Sequence, residues 1–175
     1  MRKKDIGHCL PAGKAGASDV RRRGFTLVEV LVVVALLGVL MTLVFASYGR
    51  AQKQARDTHR KSDIKQYQVA LENFSGSNSS LYPSWSASVS AHTSLCTSLS
   101  GYMSGCLSAP RSSEDASYTY KYISDGTGSG SVSALNWVLS AKIENSSGKL
   151  WVVCSNGKSG EWTSAADPSS STCPL

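Results

Sequence analysis

The sequence predicts an α+β protein: a long N-terminal α-helix, transmembrane in its first half, packed through its second half on a small antiparallel β-sheet. Three observations predict it. A run from Phe25 to Ala46 is almost wholly apolar, and its only charge is Glu29. An amphipathic pattern follows it with no Pro and no cluster of turn residues. Short alternating runs separated by turn signals then fill the last third of the chain.

Residues 1–23 are polar and basic, are broken by Pro11, Gly13 and Gly16, and offer no face to bury. The run FTLVEVLVVVALLGVLMTLVFA comes next. Its length as a helix is about 33 Å, enough to cross a hydrocarbon core of about 30 Å. A lone segment in lipid satisfies its backbone only as a helix. Beyond it Ala51, Ala55, Ile64, Tyr67, Leu71 and Phe74 recur at helical spacing. Arg56, Asp57, Arg60, Lys61, Asp63 and Lys65 lie between them and are expected to form a polar face. One helix from about Phe25 to about Asn73 is predicted, stopped by Ser75-Gly76-Ser77-Asn78.

Residues 75–116 read as a long loop region with a short helix near Ser94–Tyr102. Tyr118, Tyr120 and Tyr122 alternate with Thr119 and Lys121 as in a strand. Ala134–Ile143 and Lys149–Cys154 are apolar runs joined through Asn145-Ser146-Ser147-Gly148, and Asn156-Gly157 is a hairpin signal leading into Gly160–Thr163. Trp137, Leu139, Trp151 and Val153 are the expected face of this meander toward the helix.

The net charge of +6 is unevenly placed. Seven Lys/Arg and two acids precede Phe25, so the rest of the chain is close to neutral. Basic residues there hold that end of a membrane helix in the cytoplasm. Of five cysteines, Cys9 lies in this leader. The other four, Cys96, Cys106, Cys154 and Cys173, suggest two disulfides in an oxidising compartment. Four cysteines allow three connectivities; Cys96–Cys106 with Cys154–Cys173 is favoured because each closes a short loop. The alternative is four free or metal-binding thiols, but there is no CxxC and no nearby His pair. No metal or other cofactor is expected.

The residues Arg21-Arg22-Arg23-Gly24-Phe25-Thr26-Leu27-Val28-Glu29, followed directly by the apolar run, resemble the type III signal of type IV prepilins and secretion pseudopilins. The resemblance extends more loosely through Ala55-Arg56-Asp57, Ser62-Asp63-Ile64 and Ala70–Phe74 to Tyr82-Pro83. It implies cleavage between Gly24 and Phe25 by a prepilin peptidase, N-methylation of Phe25, and a role for Glu29 in subunit assembly. A carboxylate inside a membrane helix costs on the order of 2.5–3.5 kcal/mol and calls for a partner. Cleavage would create an amine at Phe25, about 6 Å from Glu29 along the axis. In the family this glutamate is held to pair with the terminal amine of a neighbouring subunit. One departure is the absence of a proline about twenty residues past Phe25, where Phe45–Gly49 stands; Gly38 and Gly49 could weaken the helix there instead.

Arg22–Leu27 also resembles a twin-arginine signal, and Val44-Phe45-Ala46 could pass as a signal peptidase site. The apolar run is too long for an ordinary signal core and contains Glu29. His8, His59 and His92 form no constellation, and the abundant serines lack GxSxG or an SDN/KTG accompaniment. Arg50, Lys53, Arg56, Arg60, Lys61 and Lys65 could hold DNA phosphates, but Asp57, Asp63 and Glu72 dilute them, and a solvated or intersubunit helix face is the preferred reading. Asp125-Gly126-Thr127-Gly128 offers one acid, weak support for calcium.

The expected organisation is a leader over 1–24, a transmembrane and filament-core helix over 25–46, its amphipathic continuation over 47–74, and a globular head over 75–175. The expected function is mechanical: a structural protomer of a type IV pilus or related pseudopilus, the substrate of an enzyme and not an enzyme. The implied partners are copies of itself or other pilins, the prepilin peptidase, and a membrane assembly platform with its ATPase. Expected localisation is the cytoplasmic membrane, N-terminus inside, then a cell-surface or periplasmic filament. The alternative is an exported or membrane-anchored extracytoplasmic binding protein that uses residues 21–46 as an ordinary signal or anchor.

Overall fold

A computed structural model describes residues 24–164 and 166–175; the leader before Gly24, with His8 and Cys9, lies outside the described residues. Helix α1 spans Leu27–Ser77. After it come β1 (Tyr82–Pro83), β2 (Val89–Ser90), a π-helical turn (Ala91–Leu95) running into the short helix α2 (Cys96–Ser98), and a 3₁₀ turn at Ala116–Tyr118. The last strands are β3 (Lys121–Ser124), β4 (Val132–Ala134), β5 (Trp137–Lys142), β6 (Lys149–Cys154) and β7 (Ser159–Thr163). The structure divides into two units between Leu43 and Val44.

In the first unit, and on through Tyr48, every large hydrophobic side chain described is exposed, from Val32 at 49% to Phe25 at 82%. Among the described residues no single helix is long and apolar enough to cross a membrane; the stretches Leu27–Thr42 and Ser47–Ser77 meet that test only when taken together.

The second unit is built around the later turns of α1. Ile64, Tyr67 and Leu71 are fully buried, with Ala70 and Phe74 nearly so. They share one core with Tyr120, Tyr122, Trp137, Leu139 and Val153 from the sheet. Removing such side chains from water contributes roughly 1.5–3 kcal/mol each before entropic costs. The helix ends at Ser77, within the predicted Ser75–Asn78 stop, just before Ser79 and Ser80 take left-handed φ values of 56° and 62°. There the Ser80 amide donates back to the Ser75 carbonyl at 2.9 Å, closing the last turn.

Strands β2-β3-β5-β6-β7 form a five-stranded antiparallel sheet, and β1-β4 a separate two-stranded one. Register places Leu139 opposite Tyr122 and Val153, and Trp151 opposite Glu161. Alternation therefore turns Trp137, Leu139, half-buried Trp151 and Val153 toward α1, the face predicted. The Asn156-Gly157 hairpin forms, with Gly157 at φ +81°.

Three expectations need correction. The stretch 75–116 contributes, besides a short helix α2 within the predicted Ser94–Tyr102, strands β1 and β2 and a π-turn where the sequence reads as loop. Tyr118 lies in the 3₁₀ turn, not in a strand; only Tyr122 of the three tyrosines falls within β3. The sheet buries both faces. Ile123, Val138, Leu150, Val152 and Cys154 form a second cluster on its far side, with Trp162 and Cys173 packed against it. Cys173 comes from the C-terminal segment, which is bonded to β6 through Cys154.

Candidate assembly site

Helix α1 starts with a sequence that encodes its own cap. Thr26 precedes the first helical residue, and its Oγ1 accepts the Glu29 amide at 3.2 Å. The Thr26 carbonyl accepts the Val30 amide at 3.3 Å. Thr26-x-x-Glu29 is thus half of a capping box, a signal that sequence reasoning passed over. The Glu29 carboxylate itself has no hydrogen bond or ion pair among the described residues. A capped helix start, one carboxylate and an exposed Val/Leu surface occupy consecutive turns. Gly24 has nothing within 4 Å of where a Cβ would stand, so its backbone lies open.

The other half of α1 is tied to the head by charge. Asp57, Arg60 and Asp63 were expected on a solvated polar face, yet all three are buried. Arg60 donates to Asp57 Oδ1 at 2.8 Å, to the Pro110 carbonyl at 2.9 Å, and to Glu144 Oε1. Arg56 clamps the same Glu144 with Nε at 3.0 Å from Oε1 and Nη2 at 2.6 Å from Oε2. Asp57 accepts the backbone amides of Glu144 and Asn145 at 2.9 and 2.8 Å. The hydrogen bonds from Arg56 first, then Arg60, pull the Glu144 carboxyl down to about 2 against the opposing effect of burial. Nearby, Asp63 Oδ2 accepts the Tyr120 hydroxyl at 2.6 Å, and burial followed by this carboxylate holds the Tyr120 hydroxyl protonated far above its ordinary range.

Three of the six basic residues considered for DNA have partners within the head. Arg56 and Arg60 are committed to Glu144, while Lys61 stands 4.3 Å from the Trp151 ring centroid. Sequence reasoning missed Glu144 altogether, because the acid lies 84 residues from Arg60. Only the composition of α1 hinted at it, through its excess of cations.

Tyr82-Pro83 pins the segment after α1. The Tyr82 hydroxyl donates to Glu72 at 3.0 Å, and the Pro83 carbonyl accepts the Tyr122 hydroxyl at 2.8 Å. The four downstream cysteines are joined as Cys96–Cys106 and Cys154–Cys173, with Cα separations of 5.5 and 5.7 Å. Asp125 gives its carboxylate to the Leu135 and Asn136 amides at 2.7 and 2.9 Å and to the Asn136 side chain at 2.8 Å. Burial would raise its pKa, but these hydrogen bonds from Asn136 and Leu135 outweigh it and hold the carboxyl below its ordinary value. Beside it Gly126 sits at φ +94°, where a Cβ would fall 2.5 Å from Ser84 Oγ. Among the described residues no group of three His, Cys, Asp or Glu could hold a metal.

The chain has an α+β head and a helix whose first turns are apolar, exposed and singly charged, the plan expected from the resemblance to prepilins and pseudopilins. Comparison with known proteins finds partial matches. Residues 20–45 match the prokaryotic N-terminal methylation motif. The chain is 39% identical over 69 residues to a type II secretion system core protein G from Pectobacterium carotovorum, covering 39% of this chain and 44% of that protein. It is 41% identical over 64 residues to the core protein G of Pseudomonas aeruginosa, covering 37% and 44%. It is also 32% identical over 54 residues to the type IV major pilin protein PilA of Myxococcus xanthus, covering 31% and 24%. Each match spans less than half the relative's own length. No solved structure matches the chain.

Proposed function

We propose that this chain is a structural subunit of a type IV pilus or a type II secretion pseudopilus, cut between Gly24 and Phe25, N-methylated at Phe25, and assembled through the first half of α1. On this reading residues 1–24 are the leader, 25–46 the membrane anchor that becomes the filament core, 47–74 the continuation that carries the head, and 75–175 the head. The observation that carries it is the exposed apolar helix with Glu29 as its single charge from Phe25 to Ala46. Such a surface needs a nonaqueous environment, first lipid and then the same helix on neighbouring subunits. The carboxylate needs a cation in that environment, and a terminal amine at Phe25 supplies one. Its partners are a prepilin peptidase, a membrane platform with an ATPase, and copies of itself or related pilins.

Substitution of Glu29 tests the assembly step. In cells, Glu29→Leu is expected to leave the chain folded and membrane-held at wild-type abundance while its signal in sheared surface or periplasmic filaments falls to background. Wild-type incorporation of Glu29→Leu would contradict the role given to this carboxylate.

A further inference from the structure

Apart from the first half of α1 and Tyr48 just beyond it, the described residues expose few large hydrophobic side chains: Val69, Val132, Leu135 and Leu175. Three of these fall into two patches of different shape. Val69 edges an open recess of about 370 Å³, whose other walls include Tyr102, Met103 and Leu107. Leu135 is 63% exposed at the β4–β5 connection, with Val132, 42% exposed, in the adjoining strand.

Both patches are held in place. On the recess side, Cys96–Cys106 closes the loop that carries Tyr102 and Met103, and Tyr67 donates its hydroxyl to the Leu107 carbonyl at 2.8 Å. Tyr102 also meets Phe74 edge to face at 5.3 Å. On the other side, the Leu135 amide is fixed by Asp125 at 2.7 Å. Preformed surfaces lose little entropy on docking.

The charges beside them are opposite. Lys65 lines the recess and donates only to neutral Gln68, at 3.0 Å, with no acidic partner among the described residues. Asp125 stands next to Leu135 and has no basic partner among the described residues; its carboxylate is met by amides alone. One chain therefore carries an apolar recess beside an uncompensated cation and an apolar projection beside an uncompensated anion.

Resting on the filament reading above, we propose that these two surfaces bind each other between neighbouring copies: Leu135 and Val132 of one head enter the Val69–Tyr102–Met103–Leu107 recess of the next, with Asp125 facing Lys65. Two unlike, complementary patches on one chain make a head-to-tail contact, which propagates along an open helical assembly. The contact would add a second, water-facing interface to the one made by α1.

Cysteine cross-linking in filaments made by the full chain tests this. A chain carrying both Val69→Cys and Leu135→Cys, oxidised mildly in sheared filaments, is expected to give a ladder of dimers, trimers and longer adducts. Each single variant should give only the background of the wild-type chain. The pair Met103→Cys with Leu135→Cys provides a second reading should Val69→Cys disturb α1. Filaments in which neither pair exceeds its single-variant controls overturn the contact while leaving the filament reading intact. Absence of filaments from the wild-type chain overturns the filament reading, and this contact with it.

Discussion

Glu144 holds together the charged side of α1: its carboxylate is met by Arg56, Arg60 and Arg111, while Asp57 takes the Glu144 amide and shares Arg60. With its side chain and that of Arg60 each 1% exposed, loss of the acid leaves the buried Arg60 guanidinium with Asp57 as its remaining carboxylate among the described residues. Glu144→Gln is expected to destabilise the head by about 3 kcal/mol, the low end for a broken buried pair because Asp57 still neutralises Arg60. Urea unfolding followed by Trp fluorescence would measure it. The sign with pH follows from the depressed carboxyl, about 2 against an ordinary 4.5. Its contribution is fully present above about pH 4.5 and is lost as pH falls toward 2. Wild type should therefore weaken across that window, and Glu144→Gln should lack this part of the slope. None of this was legible from periodicity. Asp57, Arg60 and Asp63 have the polarity of a solvated face, and only a partner far along the chain takes them out of water.

At the scale of elements, local signals carried furthest where local chemistry decides the structure. The Ile64–Tyr67–Leu71–Phe74 stripe, the Lys149–Cys154 run and the Asn156-Gly157 turn each lie in the element their spacing implies. The α1 stop falls within the Ser75–Asn78 signal, but the left-handed turn after it is made by Ser79 and Ser80, not by a glycine. Strands β1 and β2 are two residues each, too short for any alternation to register. The far face of the sheet escaped notice because β5 is buried on both sides, and its cover is a Ser- and Pro-rich tail with little apolar pattern. That tail depends on its cross-link. Joint replacement of Cys154 and Cys173 by Ala is expected to lower the head's stability by roughly 3 kcal/mol, as for a loop of this size. Hydrogen exchange should rise first in β6 and β7, beneath the tail. Unchanged exchange there would show that the packing around Trp162 holds the tail without the bond.

For the whole molecule, the head and the first half of α1 obey different solvents. The head closes its own core on both faces of its sheet, whereas the residues from Phe25 to Tyr48 keep every described large apolar side chain exposed. The sequence conveyed this division plainly, since apolar character all round a helix needs no tertiary contact to be read. It did not convey the recess, because Val69, Tyr102, Met103 and Leu107 converge from two separate stretches of chain. In the function proposed above, the molecule becomes an assembly subunit by pairing Glu29 with an amine that would exist only after cleavage between Gly24 and Phe25. Intact-mass spectrometry of the chain recovered from cells tests that most directly. A mass beginning at N-methylated Phe25 is the predicted result; a chain still beginning at Met1, or one beginning near Ser47, would contradict it.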